Sequence, residues 1–493
     1  MIFKRITALL LASVLLCGAL AACSGGGGET SPDGSDTTAA ETTPEETTLF
    51  MPDDLPADLD FKGAKVNVFW WEENREFCDE QDGDIVNDAL YFRDMNVEDR
   101  INVKIQNNPM SYTWATRNVY LDTIRSAVLA GDGTQDIASC QYATLPALVP
   151  DGNFLDIAKL PYVDLDKPWY VQGLIEETTI DGRLYLVGGA YSKISISGAY
   201  GIYFNKMLHE NYKLENLYDL VDSGSWVIAK MQEMTKGVYS DINGDGTAGN
   251  EDQYGFAIFA GNAITPFIQA FRLGITTNNK EGYPELTMNT PKWVEAVDLM
   301  HAYIHTSGDC VMGNDNIAGE ISAIFVDDRA LFISHSIGAA SSTFGEMETD
   351  FGIIPLLKWD EAQEGYNTAI GEGNTLFGIV TSTSNAECTA AVMEACFSES
   401  YRTVAPALFE VAMKVKYSRD NETAQMFDII REGILFNFGS IYGFGLKEIN
   451  TRWKAYLANK SGSGWASFIA QIEEPATAAI NDYIEAVRNL PER

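Results

Sequence analysis

The sequence predicts an α/β protein in which strands alternate with helices along the chain. The first observation is the segment 65–71, which is rich in β-branched and aromatic residues and has the pattern of a strand. The second is a helical repeat of apolar residues over 84–100, followed by a strand pattern over 101–106. A helix over 113–129 and a strand over 136–140 continue the alternation. Such an order favours a mostly parallel sheet.

The size and composition of the chain indicate a large globular part. The chain has 493 residues, of which 46% are hydrophobic and 11% aromatic. About 435 residues follow the N-terminal region, enough for a large core and for two or more lobes. The formal net charge is −36. Nucleic acid and anionic lipid surfaces are therefore poor partners, because both would be repelled at long range.

Patterns further along the chain add elements to this alternation. Strands are predicted over 185–187, 199–205, 330–333, 351–355 and 376–380. Helices are predicted over 227–236, 265–273 and 291–306, and again after the last strand. The loop 188–191 lies between two predicted strands and is a candidate hinge.

The N-terminus has the layout of a secretory signal that is removed before Cys23. Two basic residues precede an apolar run over 6–20, which is too short to cross a bilayer comfortably. The following Leu-Ala-Ala-Cys, residues 20–23, resembles the lipobox of bacterial lipoproteins, in which the cysteine carries a diacylglycerol. We therefore predict a signal peptide over 1–22 and a lipid on Cys23. The alternative is an ordinary secretory signal with an incidental cysteine.

Residues 23–56 are predicted to be a disordered tether. The segment consists largely of Gly, Ser, Thr, Pro, Asp and Glu, and it cannot bury enough apolar surface to offset the entropy lost on ordering. A flexible stretch of about 30 residues has a root-mean-square reach of roughly 30 Å. The prediction is a globular domain at the extracellular face of the cell membrane, attached by its lipid anchor only.

Several segments together resemble bacterial extracellular solute-binding proteins of the sugar-binding family 1 type. Residues 201–207, Gly-Ile-Tyr-Phe-Asn-Lys-Met, and 224–227, Gly-Ser-Trp-Val, are similar to that family's strand, loop and Trp-led helix. Residues 84–93 resemble the helix of its first lobe. Residues 329–334 and 350–355 resemble the paired strands of its second lobe.

This resemblance implies a two-lobe fold of the type II periplasmic-binding-protein class, with a ligand cleft between hinge-linked lobes. It assigns 57–192 and 370–412 to the first lobe, and 193–369 and 413–493 to the second. The implied protein is a monomer that captures a mono- or oligosaccharide and delivers it to the permease subunits of an ABC transporter. No chemistry on the ligand is implied.

Candidate ligand-binding residues lie at strand ends and loops, where open α/β sheets bind ligands. Aromatic rings can cover the C–H face of a sugar, and planar polar side chains can satisfy its hydroxyls. The aromatic candidates are Trp70, Trp71, Tyr142, Tyr191 and Trp359. The polar candidates are Glu73, Gln141, His335, Glu372 and Asn374. Aromatic residues in such loops also cap cores, and a core role is predicted for Tyr203, Phe204, Trp226 and Trp293.

The segment 241–252 follows the first six positions of an EF-hand calcium loop. Oxygen ligands at alternate positions, with a glycine for the sharp turn, suit a hard cation. The predicted ligands of a structural calcium ion are Asp241, Asn243, Asp245, Thr247 and Asp252. The last of these is shorter than the usual Glu and is expected to weaken the site. The alternative is an Asx-rich surface turn without metal.

Two other functions remain open at this stage. A surface carbohydrate-active hydrolase would use two of the many carboxylates, and the sequence does not show which of them face each other. The same fold could also bind a non-sugar solute such as a peptide. Zinc catalysis is disfavoured, because Ala302 replaces the Glu of the metalloprotease motif between His301 and His305. No organic cofactor is predicted, and the five cysteines beyond Cys23 show no zinc or disulfide spacing.

Overall fold

The computed structural model describes residues 51–71, 76–408, 421–462 and 464–492, except for the side chains of Asp315 and Asn421. The predicted signal peptide, Cys23 and most of the predicted tether lie outside the described residues, and so does Glu73. Within the described ranges, no helix combines the length and apolar character needed to cross a membrane.

Two β-sheets and a hairpin organise the chain. The strands are β1 (Ala64–Trp71), β2 (Val103–Met110), β3 (Ile137–Gln141), β4 (Tyr200–Asn205), β5 (Tyr254–Ala260), β6 (Thr276–Asn278), β7 (Pro284–Leu286), β8 (Cys310–Asn314), β9 (Ala330–Ser336), β10 (Phe351–Pro355) and β11 (Thr375–Ile379). The strand order is β11-β3-β1-β2 in the first sheet and β10-β4-β9-β5-β8 in the second, and β6 pairs with β7. We call the parts built on these two sheets the first and the second lobe.

Helices connect the strands and cover the sheets. They are α1 (Ile85–Ile101), α2 (Arg117–Ala130), α3 (Gln172–Thr178), α4 (Ile194–Ser197), α5 (Lys206–Asn211), α6 (Leu217–Asp222), α7 (Ile228–Thr235), α8 (Phe267–Ala270), α9 (Pro291–His305), α10 (Ala318–Val326), α11 (Ala386–Arg402), α12 (Asn421–Glu432), α13 (Phe438–Ile441), α14 (Arg452–Leu457) and α15 (Trp465–Arg488).

The first sheet is mostly parallel, as predicted. β1 pairs in parallel with β2 and β3, whereas β11 pairs antiparallel with β3. We call the edge at which the parallel strands end the carboxyl edge. Because β11 runs in the opposite direction, its first residue lies at this edge beside the end of β3. The residues that precede β11 therefore join those that follow β1, β2 and β3.

The second sheet has a comparable carboxyl edge. β5 pairs in parallel with β8 and β9, and β4 pairs antiparallel with both β9 and β10. The ends of β5, β8, β9 and β10 and the start of β4 therefore share one edge. Trp226 and Trp293 are fully buried in this lobe, and Tyr203 and Phe204 on β4 are buried too, in agreement with their predicted core role.

Local sequence signals account for the helix that follows β1. Asp84 caps α1 by accepting hydrogen bonds from the backbone N–H groups of Val86 and Asn87, at 2.9 and 3.0 Å. Asn102 ends the helix in the left-handed conformation, with φ of 50°. α11 packs against α1, so the chain after β11 returns to the first lobe. The α/β two-lobe fold is confirmed, and the lobe boundaries stay predictions.

The structure differs from the sequence patterns at a few elements. The predicted strand over 185–187 forms only an isolated bridge, between Val187 and Phe377. The predicted helix over 265–273 shortens to the single turn of α8. The patterns do not predict β5, whose residues are nearly all buried and show no alternation of polar and apolar side chains. Near the end of the predicted tether, Asp53 and Leu55 are already buried.

Candidate functional site

The carboxyl edges of the two sheets meet around Tyr142, Glu372 and Tyr200. Tyr142 follows β3, Glu372 lies shortly before β11, and Tyr200 opens β4. The backbone N–H of Gly371 donates to the carbonyl oxygen of Gly198 at 3.0 Å. A Cβ atom added to Gly371 would lie 3.2 Å from the Tyr200 ring. The loop before β11 therefore touches the second lobe directly.

At this meeting point, Tyr142 is uncharged and Glu372 is paired with a cation. Burial, and then the charges of Glu372 and Tyr200, raise the pKa of Tyr142 far above its ordinary value, so its hydroxyl stays protonated. Both carboxylate oxygens of Glu372 accept hydrogen bonds from Lys454 Nζ, each at 3.2 Å. This ion pair joins the loop before β11 to α14. Such an arrangement suits hydrogen bonding to an uncharged ligand.

Asn374 contributes an unused hydrogen-bond donor. Its side chain is fully buried, and its Oδ1 accepts a hydrogen bond from Ser195 Oγ at 2.6 Å. Its backbone carbonyl accepts from the N–H of Tyr142 at 2.7 Å. The Nδ2 group has no hydrogen-bond partner among the described residues. An unsatisfied buried donor costs about 1–3 kcal/mol, which a ligand oxygen could recover by accepting from it.

An aromatic pair with polar tips continues this edge. Trp71 Nε1 donates to Thr375 Oγ1 at 3.2 Å, and the Trp71 ring meets Tyr112 edge to face at 5.4 Å. The Tyr112 hydroxyl donates to Gln141 Oε1 at 3.0 Å. The structure therefore brings the predicted residues Trp71 and Gln141 together. The sequence prediction does not include Tyr112, although this residue lies two residues beyond β2 and satisfies the same strand-end rule.

Trp70 and Tyr191 lie in the core of the first lobe rather than at the cleft. Successive strand residues point to opposite faces of a sheet, so Trp70 faces away from Trp71. Its ring contacts Tyr191 and Phe377 edge to face, at 5.3 and 5.5 Å. Both Trp70 and Tyr191 have no exposed surface. Their prediction as sugar-stacking rings is corrected to a packing role.

The remaining candidates divide between the second lobe and the undescribed residues. His335, near the end of β9, stacks on Tyr200 at 6.4 Å and contacts Phe259 edge to face at 5.6 Å. Burial lowers the pKa of His335 to about 4, so its imidazole is neutral at pH 7. Trp359 packs edge to face on Phe271 at 5.4 Å. Glu73 lies outside the described residues.

The residues predicted as calcium ligands form a tightly hydrogen-bonded turn. The Asp241 carboxylate accepts from the backbone N–H groups of Gly244 and Gly246, at 2.7 and 2.9 Å. Asp252 is fully buried and accepts from the N–H groups of Ile242 and Gly249. Across the part of the chain that the structure describes, no three acidic, His or Cys side chains converge as metal ligands. The oxygen-rich donor set fits a hard cation chemically, and calcium binding stays a prediction.

Comparison with known proteins gives the fold and no family assignment by sequence. No protein-family model matches the chain, and no curated protein matches it in sequence. Three solved structures show the likeness in fold.

The galacto-N-biose/lacto-N-biose I-binding protein of an ABC transporter from Bifidobacterium longum, in complex with lacto-N-biose, has a TM-score of 0.58 at 12% identity, covering 87% of this chain and 99% of that chain. An ABC substrate-binding protein from Listeria monocytogenes, in complex with cycloalternan, has a TM-score of 0.56 at 13% identity, covering 85% and 99%. An ABC transporter solute-binding protein from Thermotoga lettingae, bound with α-D-tagatose, has a TM-score of 0.55 at 11% identity, covering 85% and 100%. The chain thus has the two-lobe fold of these solute-binding proteins.

Proposed function

We propose that this protein is a solute-binding protein that captures a carbohydrate in the cleft between its lobes and delivers it to an ABC transporter. The observation that carries the proposal is the meeting of the two carboxyl edges at Tyr142, Glu372 and Tyr200. The fold is shared with proteins solved with lacto-N-biose, cycloalternan and tagatose, which supports a sugar as the ligand class.

The chemistry of the meeting point favours a neutral, hydroxyl-rich ligand. Asn374 Nδ2 has no acceptor among the residues that the structure describes, the protonated Tyr142 hydroxyl can donate or accept, and Glu372 is paired with Lys454. A charged ligand would need an opposite charge that this group does not offer. The protein binds and releases its ligand without changing it, since the proposed role requires no bond to break.

Calorimetry against a panel of neutral mono- and oligosaccharides tests this function. At least one sugar is expected to bind and to be recovered unchanged. Asn374→Ala is expected to weaken its binding about ten-fold, because one buried hydrogen bond to the ligand is lost. The matched control is Asn289→Ala, which removes an exposed asparagine bonded to Glu473 and leaves affinity unchanged. Binding of a peptide alone, or cleavage of an oligosaccharide, would replace the proposal with one of its rivals.

We also propose that the protein is exported, cut before Cys23 and anchored at the extracellular face of the cell membrane by a lipid on that cysteine. The lipobox-like segment and the polar composition of 24–50 support this anchor. Tethering raises the effective concentration of the binding protein near its permease. Mass spectrometry of the N-terminal peptide from cells should show the lipid mass on Cys23. Release of Cys23→Ala protein into the medium is the companion result, and an unmodified N-terminal peptide would contradict the anchor.

A further inference from the structure

The Arg117 side chain contacts residues of both lobes. Its guanidinium carbon lies 4.4 Å from the ring centroid of Trp114 and 5.0 Å from that of Phe444. These two rings meet edge to face at 5.9 Å. Arg117 Nη2 lies 3.6 Å from Glu448 Oε1, and Nη1 donates to the Trp114 carbonyl at 2.6 Å. One planar cation therefore contacts two aromatic rings and a carboxylate.

The partners of Arg117 come from different lobes. Arg117 is the first residue of α2, whose Tyr120 stacks on Phe69 of β1 in the first sheet. Phe444 and Glu448 precede α14, which packs on β5 of the second sheet. The contact between Arg117 and Glu448 is therefore a contact between the two lobes.

Local structure holds both sides of this contact in place. On the first lobe, a capping box spanning 113–116 orders the turn that carries Trp114. On the second lobe, Lys447 and Glu448 both adopt positive φ, 64° and 56°. Left-handed non-glycine residues are uncommon and strained, so two in succession persist only where the surroundings enforce them. Arg452 Nη2 supports this bend by donating to the Lys447 carbonyl at 2.8 Å.

A second ion pair lies on the same segment of the second lobe. Lys454, six residues after Glu448, pairs with Glu372 at 3.2 Å. The charges are reversed between the two pairs, since the first lobe provides the cation at Arg117 and the anion at Glu372. Segment 444–454 is therefore held against the first lobe at two points.

We propose that Arg117 is a positioning residue that draws segment 444–448 onto the first lobe, so that the closed arrangement is populated before any ligand binds. The proposal rests on the proposed function, in which closure of the lobes traps the solute. The side chains of Arg117 and Glu448 are 21% and 46% exposed, so the ion pair alone is weak. The contact of the guanidinium with the Phe444 ring also crosses between the lobes and adds to this attraction.

We call the contact of Arg117 with Phe444 and Glu448 the latch. It affects the rates at which the ligand binds and leaves. A ligand enters and leaves through the open arrangement, so a pre-closed population slows association as well as dissociation. Removing Arg117 is expected to make both rates faster. The dissociation constant changes less than either rate, because the latch stabilises the closed arrangement with and without ligand.

Single-molecule fluorescence transfer in ligand-free protein tests the latch directly. Dyes are attached by non-cysteine chemistry at Leu129 in the first lobe and Met207 in the second, which are 91% and 41% exposed. Arg117→Ala is expected to lower the closed-to-open ratio about five-fold. Glu448→Gln is expected to lower it less. An unchanged ratio in Arg117→Ala overturns the proposal.

Arg125 provides the matched control on the same helix. It pairs with Asp122 and Asp151, both in the first lobe, so Arg125→Ala removes an arginine and two ion pairs without touching the second lobe. Its closed-to-open ratio is expected to equal that of the unaltered protein. A fall in Arg125→Ala as large as that in Arg117→Ala would also overturn the proposal.

One further variant, Arg117→Lys, separates an effect of the lost contact from an effect on folding. Arg117→Lys keeps the charge and loses the planar group, so an intermediate ratio is expected. If Arg117→Ala is unfolded at the assay temperature, Arg117→Lys and Glu448→Gln are used to test the proposal instead. If the closed-to-open ratio falls in Arg117→Ala but neither the unaltered protein nor its variants bind a sugar, the proposed function is wrong and the role of Arg117 is supported. Sugar binding with an unchanged ratio would defeat the latch alone.

Discussion

The two faces of the first sheet use aromatic rings for different purposes. On one face, Trp70 is enclosed by Tyr191 and Phe377 and has no exposed surface. On the other, Trp71 contacts Tyr112, whose hydroxyl extends the contact to Gln141 at the carboxyl edge. The two tryptophans are adjacent in sequence and equally buried. The difference shows that the neighbours of a strand-end ring, rather than its position, indicate whether it packs a core or supports a site.

The largest expected effect is a loss of stability when the ring on the core face of the first sheet is removed. Trp70→Ala is expected to lower the free energy of unfolding by about 3–5 kcal/mol, because it leaves a cavity among buried rings. Denaturant titration followed by circular dichroism measures the loss. Trp114→Ala, at a ring that is 40% exposed and contacts Phe444, is expected to cost below about 1 kcal/mol. Equal losses in the two variants would contradict the contrast between the enclosed Trp70 ring and the partly exposed Trp114 ring.

The same comparison applies to two buried carboxylates of the first lobe, beginning with Glu394. Burial raises the pKa of Glu394 to about 7 from its ordinary value of 4.5, and the hydrogen bond from the Tyr170 hydroxyl lowers it only in part. The folded state then holds a proton that the unfolded state has released, so stability falls as the pH rises from 4.5 to 7. Glu394→Gln is expected to remove this fall and to stabilise the protein by up to about 3 kcal/mol at pH 8.

Unfolding free energies at pH 5 and pH 8 check the Glu394 prediction, with Glu387→Gln as the control. Glu387 lies on the same helix but is exposed, and it accepts a hydrogen bond from the Tyr162 hydroxyl. Glu387→Gln is expected to leave the pH dependence of the unfolding free energy as it is in the unaltered protein. A Glu394→Gln profile parallel to that of the unaltered protein would show that Glu394 does not titrate in this range.

Asp53 is the contrasting carboxylate, because cations surround it. Burial alone would raise its pKa, but hydrogen bonds from Arg100 at 2.5 and 2.6 Å and from Ser398 at 2.7 Å hold it at about 2. The ionised Asp53 carboxylate therefore stabilises the folded protein above pH 3.8, and this contribution is lost as the pH falls toward 2. Asp53→Asn is expected to cost about 2 kcal/mol at pH 7 and to flatten this acid limb.

Acid unfolding followed by circular dichroism measures the Asp53 effect. Asp54→Asn is the neighbouring control, since the Asp54 side chain is 70% exposed and pairs only at the surface with Lys167. It is expected to change stability by less than about 0.5 kcal/mol. A loss in Asp54→Asn equal to that in Asp53→Asn would refute the role of burial.

The smallest expected effect concerns the exposed carboxylates of segment 241–252. If this turn binds calcium, dialysed protein retains about one ion, and Asp245→Ala loses it with a melting temperature only slightly changed. Metal analysis of both proteins measures the difference. Equal metal content in the two would eliminate the calcium site and leave a metal-free turn.

Local patterns predict most of the first lobe correctly. The strand over 65–71 and the helix over 84–100 agree with β1 and α1 within a few residues, because polar and apolar periodicity is a local property. β5 escapes such patterns, since a strand buried on both faces has no alternation to show. The strand predicted over 185–187 fails because only one of its residues finds a bridge partner, Phe377.

The candidate site is only partly predictable for the same reason. The strand-end rule selects Gln141, Tyr142, Glu372 and Asn374, which the structure brings to one edge. It does not select Lys454, which pairs with Glu372 although 82 residues separate them in sequence. No local signal connects such residues, because they come together only through the packing of distant parts of the chain.

By itself, the sequence determined the α/β class and the residues at strand ends, since both depend on short-range periodicity. Only the tertiary structure decided which of those residues lie together at the carboxyl edge. Trp70 and Trp71 have the same chemistry, and the pleat of one strand sends the first into the core and the second toward Thr375 and Tyr112. Arg117 contacts Phe444 and Glu448 only because the packing of the lobes brings this distant segment of the chain beside α2.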